Sequence, residues 1–311
     1  MKLVTAFIRL IRWPNLVFIA LTQILFVYCI LQPLFINAGI ESIVHGSTFI
    51  LLTISSVLIA AAGYIINDYF DLNIDQINKP SKLIVEKIIH RRWTIIWHLL
   101  LSTIGIIIGF YLDITTHVSF LGVCNILSVA LLFLYSISLK KKLLVGNIVI
   151  SLLTSWVILV IAWCEFFRIE HAASAALTAH ILRITFLYAG FAFIISLIRE
   201  VIKDMEDIDG DRKYGCLTMP IVWGMQASKI FTAVWLIVLI TLLTILQVYV
   251  LQFGWWLSSL YCFILIIAPL IFTFKKLFNA SVPSDFHTLS SIVKLIMFTG
   301  ILSMIFFNFY N

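Results

Sequence analysis

The sequence predicts an all-α polytopic membrane protein: nine transmembrane helices around a central cavity, the N-terminus cytoplasmic and the C-terminus outside. Three observations carry this expectation. The first is composition. The chain is 62% hydrophobic and only 12% charged, with a mean hydropathy of +1.10. A soluble domain carries roughly 25% charged residues, and a disordered chain needs low hydrophobicity, so both classes are excluded. The second is the recurrence of apolar runs, at residues 15–35, 47–66, 93–112, 118–137, 143–164, 180–198, 227–251, 254–274 and 290–309. A bilayer crossing takes about 20 such residues. The third is charge placement. With the N-terminus inside and nine crossings, 19 of the 21 basic residues fall on the cytoplasmic side, all but Arg168 and Arg183. That is the asymmetry expected of an inserted membrane protein.

The elements follow in order. Pro14 and Pro33 bracket the first run, which is too long for the apolar core of a cleavable signal. Every run is read as a helix, because hydrocarbon cannot satisfy exposed backbone groups, and a barrel would show short alternating segments instead. The second run ends in an acidic segment, Asn67 to Asp75, and the sixth ends in another, Arg199 to Asp211. The loops between carry the basic residues. A net charge of +6 and a pI near 9.1 are therefore accounted for by loops facing anionic lipid, with no nucleic acid as partner. Five cysteines lack C-x-x-C spacing, and four of them lie in apolar runs, as small core residues do. The whole of 1–311 reads as one domain.

The two acidic segments need a separate cause, since the positive-inside bias does not gather carboxylates. On a helix, Asn67, Asp68, Asp71 and Asp75 fall at about 0°, 100°, 40° and 80°, one shared face. From Glu200, residues Asp204, Asp207 and Asp211 fall at about 40°, −20° and 20°. Glu206 and Asp209 lie near the opposite face, and Gly210 is a candidate helix breaker. Four runs separate the segments, so parity brings both to the same side of the membrane. Converging carboxylates repel unless cations compensate, and hard oxygen ligands favour Mg²⁺ or Ca²⁺. Of these, Mg²⁺ usually bridges to substrate phosphates. Lys79, Lys82, Arg199, Lys203, Arg212 and Lys213 flank the segments and suit a metal-bound polyphosphate.

Asn67-Asp68-x-x-Asp71-x-x-x-Asp75 resembles the first Asp-rich motif of the UbiA superfamily of intramembrane prenyltransferases. The stretch Lys203-Asp204-Met205-Glu206-Asp207-Ile208-Asp209-Gly210-Asp211 resembles the second. Arg12-Trp13-Pro14-Asn15 and Tyr135-Ser136-x-x-Leu139-Lys140 also fit, so the likeness spans roughly residues 10–225. Asn78-Lys79-Pro80 and Gly215 to Pro220 look most like the branch of digeranylgeranylglyceryl phosphate synthases and, more distantly, chlorophyll synthases. One departure stands out. That branch reads Arg-Pro-Ile-Pro-x-Gly where this chain has Lys82-Leu83-Ile84-Val85-Glu86-Lys87, which exchanges a bidentate arginine for a point charge.

The resemblance implies prenyl transfer from an allylic diphosphate to a lipid or aromatic acceptor, a prenylglyceryl phosphate among the options, within a prokaryotic plasma membrane. It implies Mg²⁺ on Asn67, Asp68, Asp71, Asp75, Asp204, Asp207 and Asp211. The diphosphate would lie on Asn15, Lys79, Lys82, Arg199, Lys203 and Lys140. Asp71, Asp207 and Tyr135 are expected to be central to catalysis, Tyr135 against the diphosphate or the allylic cation. Glu200 is either a base for the acceptor or half of an ion pair with Arg199. The competing class is a transporter or cation carrier. Such a protein usually holds its carboxylates near the bilayer midplane, whereas these cluster at helix ends.

Overall fold

The computed structural model describes residues 2–78, 80 and 83–310, without the side chains of residues 2 and 167–172. Among them, regular structure is helical apart from one isolated bridge between Val85 and Ile89. Nine long apolar helices follow in order: α1 (Trp13–Ala38), α2 (Gly46–Phe70), α3 (Arg91–Thr116), α4 (Leu121–Ile137), α5 (Val145–Ala172), α6 (Ala175–Glu206), α7 (Met225–Leu251), α8 (Trp256–Asn279) and α9 (Pro283–Tyr310). Eight are long and apolar enough to cross a membrane; α4, with 17 residues, is the exception. At about 1.5 Å per residue it reaches roughly 26 Å, short of a hydrocarbon core of about 30 Å. Contacts at its two ends show what it does. At one end the Asp113 carboxylate of α3 accepts the Leu121 and Gly122 N–H groups, both at 2.8 Å. Just past the other end, Lys140 touches Asp71. The helix therefore runs from the end of the bundle remote from Asp71 back to it.

An additional short helix, Lys2–Leu10, precedes α1. It buries Ala6 and Leu10 against Ile65 and leaves Leu3, Val4 and Ile8 exposed. It joins α1 through Arg12, whose φ of 52° places a non-glycine residue in the left-handed region. Such a conformation persists only where its surroundings hold it. Here the guanidinium is held by Asp68.

The apolar runs at 15–35 and 254–274 pass through Pro33 and Pro269, and so do the helices. Pro33 does not end α1. The π-helical segment Phe26–Leu31 precedes it, and the helix continues to Ala38. Pro269 follows a second π segment, Phe263–Ile267, within α8. A proline lacks an N–H and clashes with the carbonyl four residues back, and the wider turn accommodates both defects.

Close approach of α2, α3 and α4 rests on small residues. Gly105 and Gly109 of α3 form a G-x-x-x-G spacing that brings backbones together. The Ser55 hydroxyl and the Asn125 amide both donate to the Gly105 carbonyl, at 2.8 and 3.0 Å. A Cβ on Gly109 would collide with the Asn125 amide and press on the Cα of Gly122. Replacing Gly109 with valine should therefore destabilise the bundle by about 1–3 kcal/mol, read as a lower thermal midpoint in detergent.

At the end of the bundle remote from Asp71, acidic residues serve the backbone. Glu165, fully buried, accepts the Ser42 hydroxyl and the Val44 N–H at 2.5 and 2.7 Å. The acidic residues at the opposite end have different neighbours.

Candidate active site

Both acidic segments share one local design. Helix α2 ends at Phe70, Asp71 bends the chain, and a short helix Leu72–Asn78 follows. Helix α6 ends at Glu206, Asp207 bends the chain, and a short helix Ile208–Lys213 follows. Each expected single-helix stripe is thus broken, with an aspartate at the pivot. The break lies at Asp207 and not at Gly210. The two short helices pack on each other through one side chain: Asn78 donates to the Asp207 carbonyl at 3.1 Å and accepts the Gly210 N–H at 2.9 Å. Gly210 is required there, because a Cβ would stand 2.5 Å from the Asn78 amide.

The carboxylates above this joint have partners. Arg12 reaches Asp68 at 2.7 Å. Lys140 pairs with Asp71 and also donates to the Asn67 carbonyl oxygen at 3.2 Å, while the Asn67 amide donates to Asp71 at 2.8 Å. Asn147, in the first turn of α5, donates to Asp204 at 2.8 Å. Tyr135 stands within electrostatic reach of Asp71, Glu200 and Asp204, so it faces both segments. Asp75 neighbours Arg12, and Asp211 neighbours Asp204 and Cys216. The buried Cys216 thiol is pushed up to about 11, by burial first and then by Asp211.

Most expected site residues therefore gather at one end of the bundle: Asn15, Asn67, Asp68, Asp71, Asp75, Tyr135, Lys140, Arg199, Lys203, Asp204, Asp207 and Asp211. Lys79 and Lys82 lie outside the described residues. Lys203 is corrected in part. Its ammonium binds both oxygens of Glu200, at 2.9 and 3.0 Å, with Arg199 on the same carboxylate at 3.4 Å. Glu200 is accordingly half of an ion pair and poorly placed to be a free base. Glu206 turns away to His287 at 2.8 Å, and Asp209 is exposed, in keeping with their opposite helical face. Sequence reasoning did not single out Asn147 or Tyr64, and it named Asn78 only within the Asn78-Lys79-Pro80 tract, with no role. Tyr64 lies beside Asn15 and under the Arg12 guanidinium, 5.2 Å from its ring centre. It sits two turns before Asp71 on one face, so periodicity could have found it. Asn147 and Asn78 act across the chain, where spacing carries no signal.

The donor set can be weighed against a divalent cation. Among the described residues no three His, Cys, Asp or Glu side chains form a ready-made ion site. That differs from a fused six-carboxylate cluster, because Arg12, Lys140 and Asn147 separate the acids. The set still fits Mg²⁺, which usually takes one or two carboxylates and completes its shell with waters and substrate phosphates. The side chains proposed as ligands, Asp and Asn, all offer hard oxygens.

An apolar cavity opens among α1, α5, α6 and α9, lined by residues such as Phe18, Ile158, Phe191, Ile195, Met297 and Met304. Its lining begins one helical turn below Asn15 on α1 and Arg199 on α6. At the remote end Tyr188, hydrogen-bonded to Ser303 at 3.1 Å, contributes to the wall. A charged mouth over an apolar cavity suits an amphiphile with an anionic head.

Comparison with known proteins agrees with this geometry. The model of the UbiA prenyltransferase family matches residues 24–295. A digeranylgeranylglyceryl phosphate synthase of Methanothermobacter thermautotrophicus is 34% identical over 226 residues, covering 72% of each chain. Among solved structures, the apo form of a UbiA homologue from Aeropyrum pernix K1 superposes with a TM-score of 0.62 at 17% identity, over 92% of this chain and 98% of the other. A UbiA homologue from Archaeoglobus fulgidus bound to GPP and Mg²⁺ gives 0.54 at 14% identity, over 96% and 99%. These two likenesses speak for the fold, and the family match speaks for the chemistry. With the paired Asp-pivoted segments already in place on an all-helical membrane bundle, the chain belongs to the UbiA prenyltransferase family and is a prenyl-transferring membrane enzyme.

Proposed function

We propose that this enzyme transfers a long prenyl group from an allylic diphosphate to a prenylglyceryl phosphate, with Mg²⁺, at the cytoplasmic face of the membrane. The observation that carries the reading is the pair of Asp-pivoted segments, joined by Asn78, over the mouth of the apolar cavity. In this reading the allylic C–O bond breaks, its electrons leave with the diphosphate, and the acceptor hydroxyl oxygen forms the new C–O bond. The hydroxyl proton departs with the released diphosphate. Asp68, Asp71, Asp75, Asp204, Asp207 and Asp211, with Asn67, would hold Mg²⁺, which supplies positive charge to the leaving diphosphate. Lys140 and Asn15 bind diphosphate oxygens. Lys79 and Lys82, which follow Asn78 in the sequence, are proposed to bind them too. Tyr135 turns its ring toward the allylic cation, which aromatic faces attract, and the cavity wall excludes water from it.

The acceptor class is supported by the relative from M. thermautotrophicus, the donor and the metal by the homologue from A. fulgidus. We also read the bundle as nine crossings with the N-terminus inside. Odd-numbered helices leave the acidic end and even-numbered helices return to it, and the 19 basic residues on that side support its facing the cytoplasm.

The test is a turnover assay with purified full-length protein, labelled geranylgeranyl diphosphate and Mg²⁺. The acceptors are a prenylglyceryl phosphate, 4-hydroxybenzoate and dihydroxynaphthoate. Diphosphate release is expected with the prenylglyceryl phosphate. Release with neither that acceptor nor the aromatic ones would overturn the reading, and release with an aromatic one alone would reassign the acceptor.

A further inference from the structure

Lys294 of α9 has no carboxylate partner among the described residues, although it is half-buried. Its ammonium stands 5.3 Å over the ring of Phe18, and its charged neighbours are Arg199, Arg12 and Lys203. A cluster of like charges in a partly dry place is costly unless an anion joins it.

Helix geometry locates the cluster. Met297 of α9, Ile195 of α6 and Phe18 of α1 all line the apolar cavity. Lys294, Arg199 and Asn15 each sit one turn closer to the acidic end on the same three helices. The three polar side chains therefore rim the cavity mouth on α1, α6 and α9, whereas Asp71 follows α2 and Lys140 follows α4.

The charge balance is specific. Asp68 neutralises Arg12, and Glu200 binds Lys203 through both oxygens. Arg199 and Lys294 remain. Arg199 makes only a 3.4 Å contact to Glu200, and its Nε is buried with no hydrogen-bond partner. Lys294 without a carboxylate and Arg199 with one long contact to a carboxylate that Lys203 already holds match a phosphate monoester, which carries roughly −1.5 to −2 near pH 7. A guanidinium offers a planar fork for two phosphate oxygens and an ammonium adds a point charge.

We infer that Arg199 and Lys294, with Arg12 alongside, form a metal-independent subsite for the phosphate monoester of the acceptor, distinct from the aspartates that serve the donor diphosphate. This rests on the acceptor class proposed above. It moves Arg199 from the donor to the acceptor and gives Lys294 a role. The acceptor's prenyl tail then enters the cavity from beneath its own phosphate.

The experiment uses the full-length protein in detergent, with Lys294→Gln and Lys294→Arg. In turnover, Lys294→Gln should raise KM for the prenylglyceryl phosphate by about 10- to 100-fold, the loss of one charge-assisted contact. Its KM for the donor should stay within about twofold, and Lys294→Arg should recover most of the acceptor affinity. A phosphate-free prenylglycerol should be used equally poorly by wild type and Lys294→Gln. In parallel, binding of the prenylglyceryl phosphate is measured in EDTA, without donor. Wild type should bind, and Lys294→Gln should bind at least about tenfold more weakly. A rise in donor KM equal to that of the acceptor, or an unchanged acceptor affinity, overturns the subsite. So does binding abolished by EDTA. If wild type binds the phosphate acceptor in a Lys294-dependent way yet transfers no prenyl group to it, the reaction proposed above fails and the subsite stands.

Discussion

Replacing Asp71 with alanine should lower kcat for prenyl transfer by about three orders of magnitude, the upper range for losing one preorganised charge-stabilising group at a leaving oxyanion. The reasons are local. Asp71 is the pivot between α2 and the helix Leu72–Asn78, and Lys140 and the Asn67 amide converge on its carboxylate. Its side chain and that of Lys140 are 17% and 11% exposed. Removing the carboxylate also leaves a largely buried ammonium without its partner, which alone can cost about 3–5 kcal/mol. Activity loss by unfolding must therefore be separated from activity loss at the site. A double variant, Asp71→Ala with Lys140→Met, removes both charges and should regain most of the thermal stability. It should remain inactive in the labelled-diphosphate assay at every Mg²⁺ concentration. Recovery of turnover together with stability would show that Asp71 has only a structural part.

Much of the fold could be read from hydropathy alone. The run at 227–251 is α7 almost to the residue, and the run at 93–112 lies within α3. These limits are legible because a lipid-facing helix must be apolar along its length. What escaped was tertiary. The run at 15–35 passes through Pro33, but the π turn that accommodates the proline is not written in hydropathy. The pivots at Asp71 and Asp207 escaped a helical wheel, which assumes an unbroken helix. The acidic segments themselves were legible because charge is scarce in this chain and two clusters stand out. Their compensation was not. Arg12 and Asp68 are 56 residues apart, and Asn147 and Asp204 are 57 apart, with no periodicity linking them. Lys294 looked like one more cytoplasmic cation until Arg199 and Phe18 came alongside it.

Asn78 should prove nearly as consequential as the aspartates, although we assign it no contact with substrate. It is a positioning residue. Its two hydrogen bonds join the short helices that follow Asp71 and Asp207, and so link segments about 130 residues apart in sequence. If two carboxylate sets must grip one metal-bound diphosphate, their separation matters, and displacement by about 1 Å at a reacting centre can cost on the order of 10²-fold. Asn78→Ala is therefore expected to lower kcat by about 10²-fold. Gly210→Ala, which drives a methyl group into the same amide from the opposite helix, should do the same. Lost stability alone would lower the amount of folded enzyme and leave its Mg²⁺ dependence unchanged. Misaligned segments would instead raise the Mg²⁺ concentration for half-maximal rate, because ligands that no longer face each other share the ion less well. The decisive measurement is the Mg²⁺ titration of turnover for both variants, normalised to folded protein. A shared upward shift supports alignment. An unshifted midpoint with full specific activity would show that the joint between the two segments is dispensable, since nothing else in the structure would then require Asn78 to face a glycine.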